Sequence, residues 1–239
     1  MGNKGRELNS FFFWHLTFAH FLTDYPLQTD KLFEKKTKDI WGIFIHGLVL
    51  FLTMFLLLLP FSFSSVVILG ISVITLLHIV QDKLKVFLSY KDELGENFFY
   101  YIVDQFVHIF IIFIFSKFFP FPKVNGNSFW FDSFLFKIFT FLIVVTYAYW
   151  ILLYSIEYTF FKHNDLVHGK MKIWGFIERA FVFLSYFINP FLSFLSFLST
   201  IFLFFFSPKN EKKFFIIFRS FTGIVLTIFT SLIFYNFLL

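Results

Sequence analysis

WGIFIHGLVLFLTMFLLLLP, residues 41–60, holds one ionisable side chain, His46, and no formal charge. A run of about 20 mostly apolar residues is what an α-helix needs to cross the hydrocarbon core of a bilayer. Seven further runs of this kind occupy 9–27, 64–84, 98–119, 133–160, 173–188, 190–207 and 214–238. The runs at 173–188 and 190–207 are short and meet at Asn189-Pro190, a dipeptide that ends or kinks a helix. They read as two short spans, one bent helix or a re-entrant hairpin. The expectation is an all-α, polytopic transmembrane bundle of seven or eight segments, forming a single integral-membrane domain over residues 1–239.

Composition agrees. Of 239 residues, 58% are hydrophobic and 47 are Phe, against about 45–50% apolar in soluble domains. A soluble fold of this size has too little interior to hide that much aromatic surface. With no Cys, disulfides and thiolate metal sites are excluded. The net charge of +5 is spread over short clusters between apolar runs, which is a membrane-topology pattern and not a nucleic-acid footprint. Lys4 and Arg6 precede an apolar run as in a signal peptide, but no small-residue cleavage site follows, so the run reads as a retained first helix. Lys31, Lys35, Lys36 and Lys38, then Lys83, Lys85 and Lys91, then Lys162, Lys170 and Lys172 mark alternate connections. By the positive-inside rule the connections at 28–40, 85–97 and 162–172 are cytoplasmic and the N-terminus is external. The expected location is the bacterial cytoplasmic membrane, with membrane lipid as the partner and no nucleic acid.

Charges inside spans cost about 2.5–3.5 kcal/mol or more each at the bilayer centre. Here they come in pairs: His20 and Asp24 in HFLTD, His78 and Asp82 in HIVQD, Asp104 and His108 in DQFVH. The i, i+4 spacing stacks both side chains on one helix face. His46 opens the second run. All seven residues fall at one depth, near the inner ends of four consecutive helices that alternate in direction. Neutral imidazole with carboxylate suits Zn, Mn or Fe(II). The candidate metal ligands are therefore His20, Asp24, His46, His78, Asp82, Asp104 and His108. Glu178 and Arg179 are expected at the same level, and Gln28, Lys31, Lys85 and Gln105 at its rim. His15 is off that face and reads as packing.

At these residues the chain resembles the bacterial membrane proteins called domain of unknown function 3307. The resemblance rests on HFLTDYPLQTDKLFEKK at 20–36, the His46 that follows, HIVQDKLK at 78–85, DQFVH at 104–108 and GFIERAF at 175–181. Members often carry a second His four residues after the first in the second helix; Leu50 and Phe51 fill that region here. The family's His/Asp pattern is similar to that of membrane-bound metal-dependent hydrolases, an analogy of pattern alone.

The leading expectation is a metal-dependent membrane hydrolase acting at the cytoplasmic face on a lipid or membrane-associated ester or phosphoester. A divalent ion would activate water, Asp82 or Glu178 would be the general base, and Gln28, Lys31, Lys85, Gln105 and Arg179 would hold an anionic head group. A transporter or proton or ion conductor is the alternative, although its polar residues should run through the whole membrane depth. A structural protein with a buried polar network is the third reading.

Overall fold

In a computed structural model of the chain, the described residues are 4–91, 97–120, 122, 133–162, 170–195, 198 and 213–238. The elements among them are all helical: α1 (Lys4–Asp24), α2 (Asp30–Lys38), α3 (Ile40–Leu57), α4 (Ser65–Lys91), α5 (Phe98–Phe118), α6 (Ser133–Ile143), a π-turn (Val144–Ala148), α7 (Tyr149–Phe161), α8 (Lys170–Ile188), α9 (Pro190–Leu195) and α10 (Lys213–Leu238). Two compact units are found, Met1–Thr140 and Phe141–Leu239.

Five stretches among the described residues are long and apolar enough to cross a membrane: Ile40–Leu57, Ser65–Leu88, Phe98–Phe118, Ser133–Phe161 and Phe214–Asn236. They coincide with five of the eight expected segments, so among the described residues the candidates are fewer than the seven or eight expected. The reasons are specific. Helix α1 carries two His and Asp24 beside its Phe residues, and α8 carries Lys170, Lys172, Glu178 and Arg179. Most of 196–207 lies outside the described residues. The break at Asn189 is present: its Oδ1 accepts the Phe191 N–H at 2.9 Å, and α9 turns back until the Ser193 hydroxyl donates to the Val182 carbonyl at 3.3 Å.

In the first unit, α1 packs on α3 and α5, α3 on α4, and α4 on α5, closing a four-helix ring. Phe12, Leu16 and Ala19 of α1, Leu50 and Met54 of α3 and Ile71 and Ile74 of α4 form its buried core. Gly47 brings α3 and α4 together, because a Cβ there would run into Ile79.

Segment 28–40, read from sequence as a loop, contains α2. Its ends explain it. Thr29 caps the start by accepting the Leu32 N–H, Asp30 sits in the first turn, and Lys35, Lys36 and Lys38 sit in the last, matching the helix dipole. Asp39 then caps α3 by accepting the Trp41 N–H at 3.0 Å. At Gly42 the α2 backbone lies directly against α3: an added Cβ would overlap main-chain atoms of Lys35 and Lys36. This close approach holds α2 across one end of the ring.

Candidate metal centre

Antiparallel packing brings the end of α1, the start of α3, the latter half of α4 and the first half of α5 to one end of the ring. The three i, i+4 pairs and His46 therefore meet, and all seven side chains are buried. The centre of the cluster is formed by four atoms. His46 Nε2 lies 3.1 Å from His78 Nε2, 3.2 Å from Asp24 Oδ1 and 3.6 Å from Asp82 Oδ2. His78 Nε2 lies 3.5 Å from Asp24 Oδ1 and 3.3 Å from Asp82 Oδ2. Four ligands held about 2.0–2.2 Å from one ion at tetrahedral angles would stand about 3.3–3.6 Å apart. The five separations given fall close to that range.

The flanks are occupied by the remaining pairs. His20 Nδ1 lies 3.7 Å from Asp24 Oδ1, and His108 Nε2 lies 3.4 Å from Asp104 Oδ1 and 3.9 Å from Asp82 Oδ1. The rings of His78 and His108 stack with centroids 4.1 Å apart, and His20 sits 4.9 Å from His108. Both nitrogens of His20, Asp82 Oδ1 and His108 Nε2 lack a hydrogen-bond partner although they are buried. Native interiors rarely leave such atoms unmatched. Three sets within the cluster could hold a metal ion: His20–Asp24–His78, His46–His78–Asp82 and Asp82–Asp104–His108.

Two lysines border the layer. Lys85 donates to Asp104 Oδ2 at 2.6 Å, and Gln105 Nε2 donates to the same oxygen at 3.2 Å. Lys36, from α2, reaches Asp82 Oδ2 at 2.7 Å and Gln28 Oε1 at 3.4 Å. Burial by itself would lower the Lys36 pKa. The Asp82 and Asp24 carboxylates outweigh it and hold the ammonium above the ordinary lysine value. Sequence reading took Lys36 for a topology marker. The signal that places it is the Thr29 cap with Asp30 and the terminal lysines, which together define a short docked helix. Gln81 was also missed; its Nε2 donates to the Asp104 carbonyl at 2.8 Å.

Other expected residues sit differently. Lys31 is exposed on α2 and, among the described residues, joins neither the layer nor an ion pair. Glu178 and Arg179 belong to the second unit. The Ser220 hydroxyl donates to Glu178 at 2.8 Å, while Arg179 donates to the Val145 and Thr146 carbonyls of the π-turn at 2.7 and 3.0 Å. His15 is a packing residue, bonded to the Phe11 carbonyl at 2.8 Å and ringed by Phe11 and Phe136.

A cavity of about 10 Å³ touches His20, His78 and His108 and is otherwise walled by apolar residues, among them Leu50, Met54, Ile74 and Ile112. That is room for about one water.

Residues 12–135 match the family described as protein of unknown function (DUF3307). The chain belongs to the DUF3307 family. The match contains all seven layer residues, both bordering lysines and α2, and it ends before Glu178 and Arg179. The match thus lies within the first unit of this DUF3307 protein, the unit that carries the cluster. No curated protein and no solved structure matches the chain.

Proposed function

We propose that this DUF3307 protein is a multi-pass protein of the bacterial cytoplasmic membrane whose first unit is a metal-dependent hydrolase, acting at the cytoplasmic face on a lipid or membrane-associated phosphoester or ester. The observation that carries the reading is that His46 Nε2 and His78 Nε2 lie 3.1 Å apart and each stands 3.2–3.6 Å from one oxygen of Asp24 and one of Asp82. Asp24, His46, His78 and Asp82 would hold one divalent ion (Zn, Mn or Fe), which lowers the pKa of a bound water and polarises the scissile bond. Asp82 is then better used as a ligand than as the general base. The Asp104–His108 pair at 3.4 Å is suited to take the proton from the attacking water. Lys36 and Lys85 orient Asp82 and Asp104.

Charge supports one ion over two. Three carboxylates face two lysines, leaving one negative charge with neutral imidazoles. One dication turns this into one positive charge, which a hydroxide or an anionic substrate cancels. Two dications would leave three positive charges in an apolar interior, a costly excess. The apolar walls beyond the layer argue against the transporter or conductor reading, since a conduction path needs polar groups beyond one depth.

The test is elemental analysis of the purified protein joined to an assay of phosphoester and ester lipids. The reading expects hydrolysis that chelation abolishes and that Asp82→Asn lacks. Metal-bound protein inactive on every lipid class would reject the hydrolase; protein without metal would reject the centre itself. Orientation is checked by labelling an introduced Cys at position 35, which is exposed on α2. Labelling from outside intact cells contradicts the cytoplasmic placement.

A further inference from the structure

A groove of about 490 Å³ opens beside the layer, where the end of α2 and the start of α3 face the last turns of α4. Lys36, Lys38 and Lys83 line it together with Ile40, Ile43 and Phe87. The acid in its lining, Asp39, is already committed to capping α3. Lys38 reaches outward to Glu34 at 2.6 Å, and both side chains are about two-thirds exposed. Phe87 is 65% exposed and Ile40 47%. Basic and apolar groups thus share one concave surface at the ends of helices suited to a bilayer.

Lys36 belongs to both places. It lines the groove, and its ammonium sits 2.7 Å from Asp82 Oδ2. An anion seated on Lys36 is therefore one ammonium group away from the metal-ligating cluster.

We propose that this groove binds the phosphate head group of an anionic membrane phospholipid, with Lys38 and Lys83 beside the phosphate, Lys36 between it and the layer, and Ile40, Ile43 and Phe87 under the acyl chain. The lipid, and not free phosphate, is the occupant that matches the surface, because a lone anion leaves exposed Ile40 and Phe87 uncovered. As an account of how substrate reaches the layer, the proposal rests on the hydrolase reading; as a lipid site it is measured separately.

The experiment is native mass spectrometry of the full chain released from detergent with phosphatidylglycerol or phosphatidylcholine of identical acyl chains, metal content being read from the same spectra. Phosphatidylglycerol adducts should dominate. Lys38→Gln with Lys83→Gln should weaken them about 30-fold, as expected for two surface lysines acting on an anionic head group. Both side chains are exposed, so melting temperature and metal content should not change. Lys31→Gln with Lys35→Gln, on the same short helix but outside the groove, should cost less than about 3-fold. Equal losses in the two double variants would reduce the effect to general surface charge and overturn the proposal. So would equal binding of phosphatidylcholine, or displacement of the lipid by millimolar inorganic phosphate. A chain that binds phosphatidylglycerol through Lys38 and Lys83 but holds no metal keeps the lipid site and removes the hydrolase.

Discussion

Both units bury charged side chains among apolar helices, and they handle them in opposite ways. In the second unit Arg219 grips Glu157 with two parallel bonds, Nε to Oε1 at 2.7 Å and Nη2 to Oε2 at 2.6 Å. Arg179 fills the carbonyls that the π-turn loosens, and Ser220 donates to Glu178. Each of these charges faces a matched partner from another element, so the group works as a helix-to-helix clamp. In the first unit, imidazole nitrogens and carboxylate oxygens crowd together, with buried atoms of His20, Asp82 and His108 left without hydrogen bonds. A buried charge is therefore not by itself a sign of a site. Convergent ligand atoms in excess of their internal partners are.

The largest expected effect separates the units directly. His78→Ala removes an atom shared by three of the close contacts in the centre, and bound metal should fall by about 100-fold or more, beyond the 10–100-fold typical of losing a supporting residue. His46→Ala should do the same, and the double variant should add little, since groups that act as a unit are lost as a unit. Additive losses would split the layer into separate sites.

Next comes the clamp. Arg219→Met leaves Glu157 buried without its cation and should cost about 3–5 kcal/mol of stability, read as thermal unfolding in detergent. Metal per folded chain should stay the same. Restoring most of the stability with Glu157→Leu in the same chain would confirm a structural role. A loss of metal in Arg219→Met would erase the distinction between the two units.

A smaller effect tests how α2 docks. Gly42→Ala forces the α2 main chain away from α3, an overpacking expected to cost about 1–3 kcal/mol. The Lys36–Asp82 contact should loosen with it, and crosslinking between Cys residues placed on α2 and α4 should fall. Unchanged crosslinking would mean that α2 does not depend on Gly42.

The smallest effect is a pH dependence. Protons compete with metal for imidazole, whose ordinary pKa is about 6.5. Metal retention should weaken from about pH 7.5 to about pH 5. Lys36 cannot be the cause. Its pKa is raised in the folded chain, so its ion pair is fully present below the ordinary lysine value and is lost only as pH climbs past the raised one. Retention that stays flat over this acid range would exclude imidazole ligation.

The i, i+4 pairs were legible from sequence because periodicity fixes which residues share a helix face, and alternation of spans fixes a common depth. The five apolar stretches were legible from their length and composition. What failed was local. Helix α1 falls outside the five apolar stretches because His15, His20 and Asp24 lower its hydropathy. The 28–40 connection looked like a charged loop because its lysines dominate, while the information that it packs lies in Thr29, Asp39 and Gly42. Lys36 was hidden by this, since a docked helix and a solvated loop have the same composition. Arg179 looked like an anion site because the π-turn that engages it leaves no mark in the sequence.

The central claim is that the first unit holds one ion between His46, His78, Asp24 and Asp82. Elemental analysis combined with X-ray absorption at the metal edge tests it on the purified full chain. The account predicts about one divalent ion per chain, with nitrogen and oxygen neighbours at about 2.0–2.2 Å and an imidazole signature that is lost in His46→Ala. Protein that keeps its fold but takes up no ion after incubation with Zn, Mn or Fe(II), or a bound ion whose spectrum does not change in His46→Ala, would contradict it.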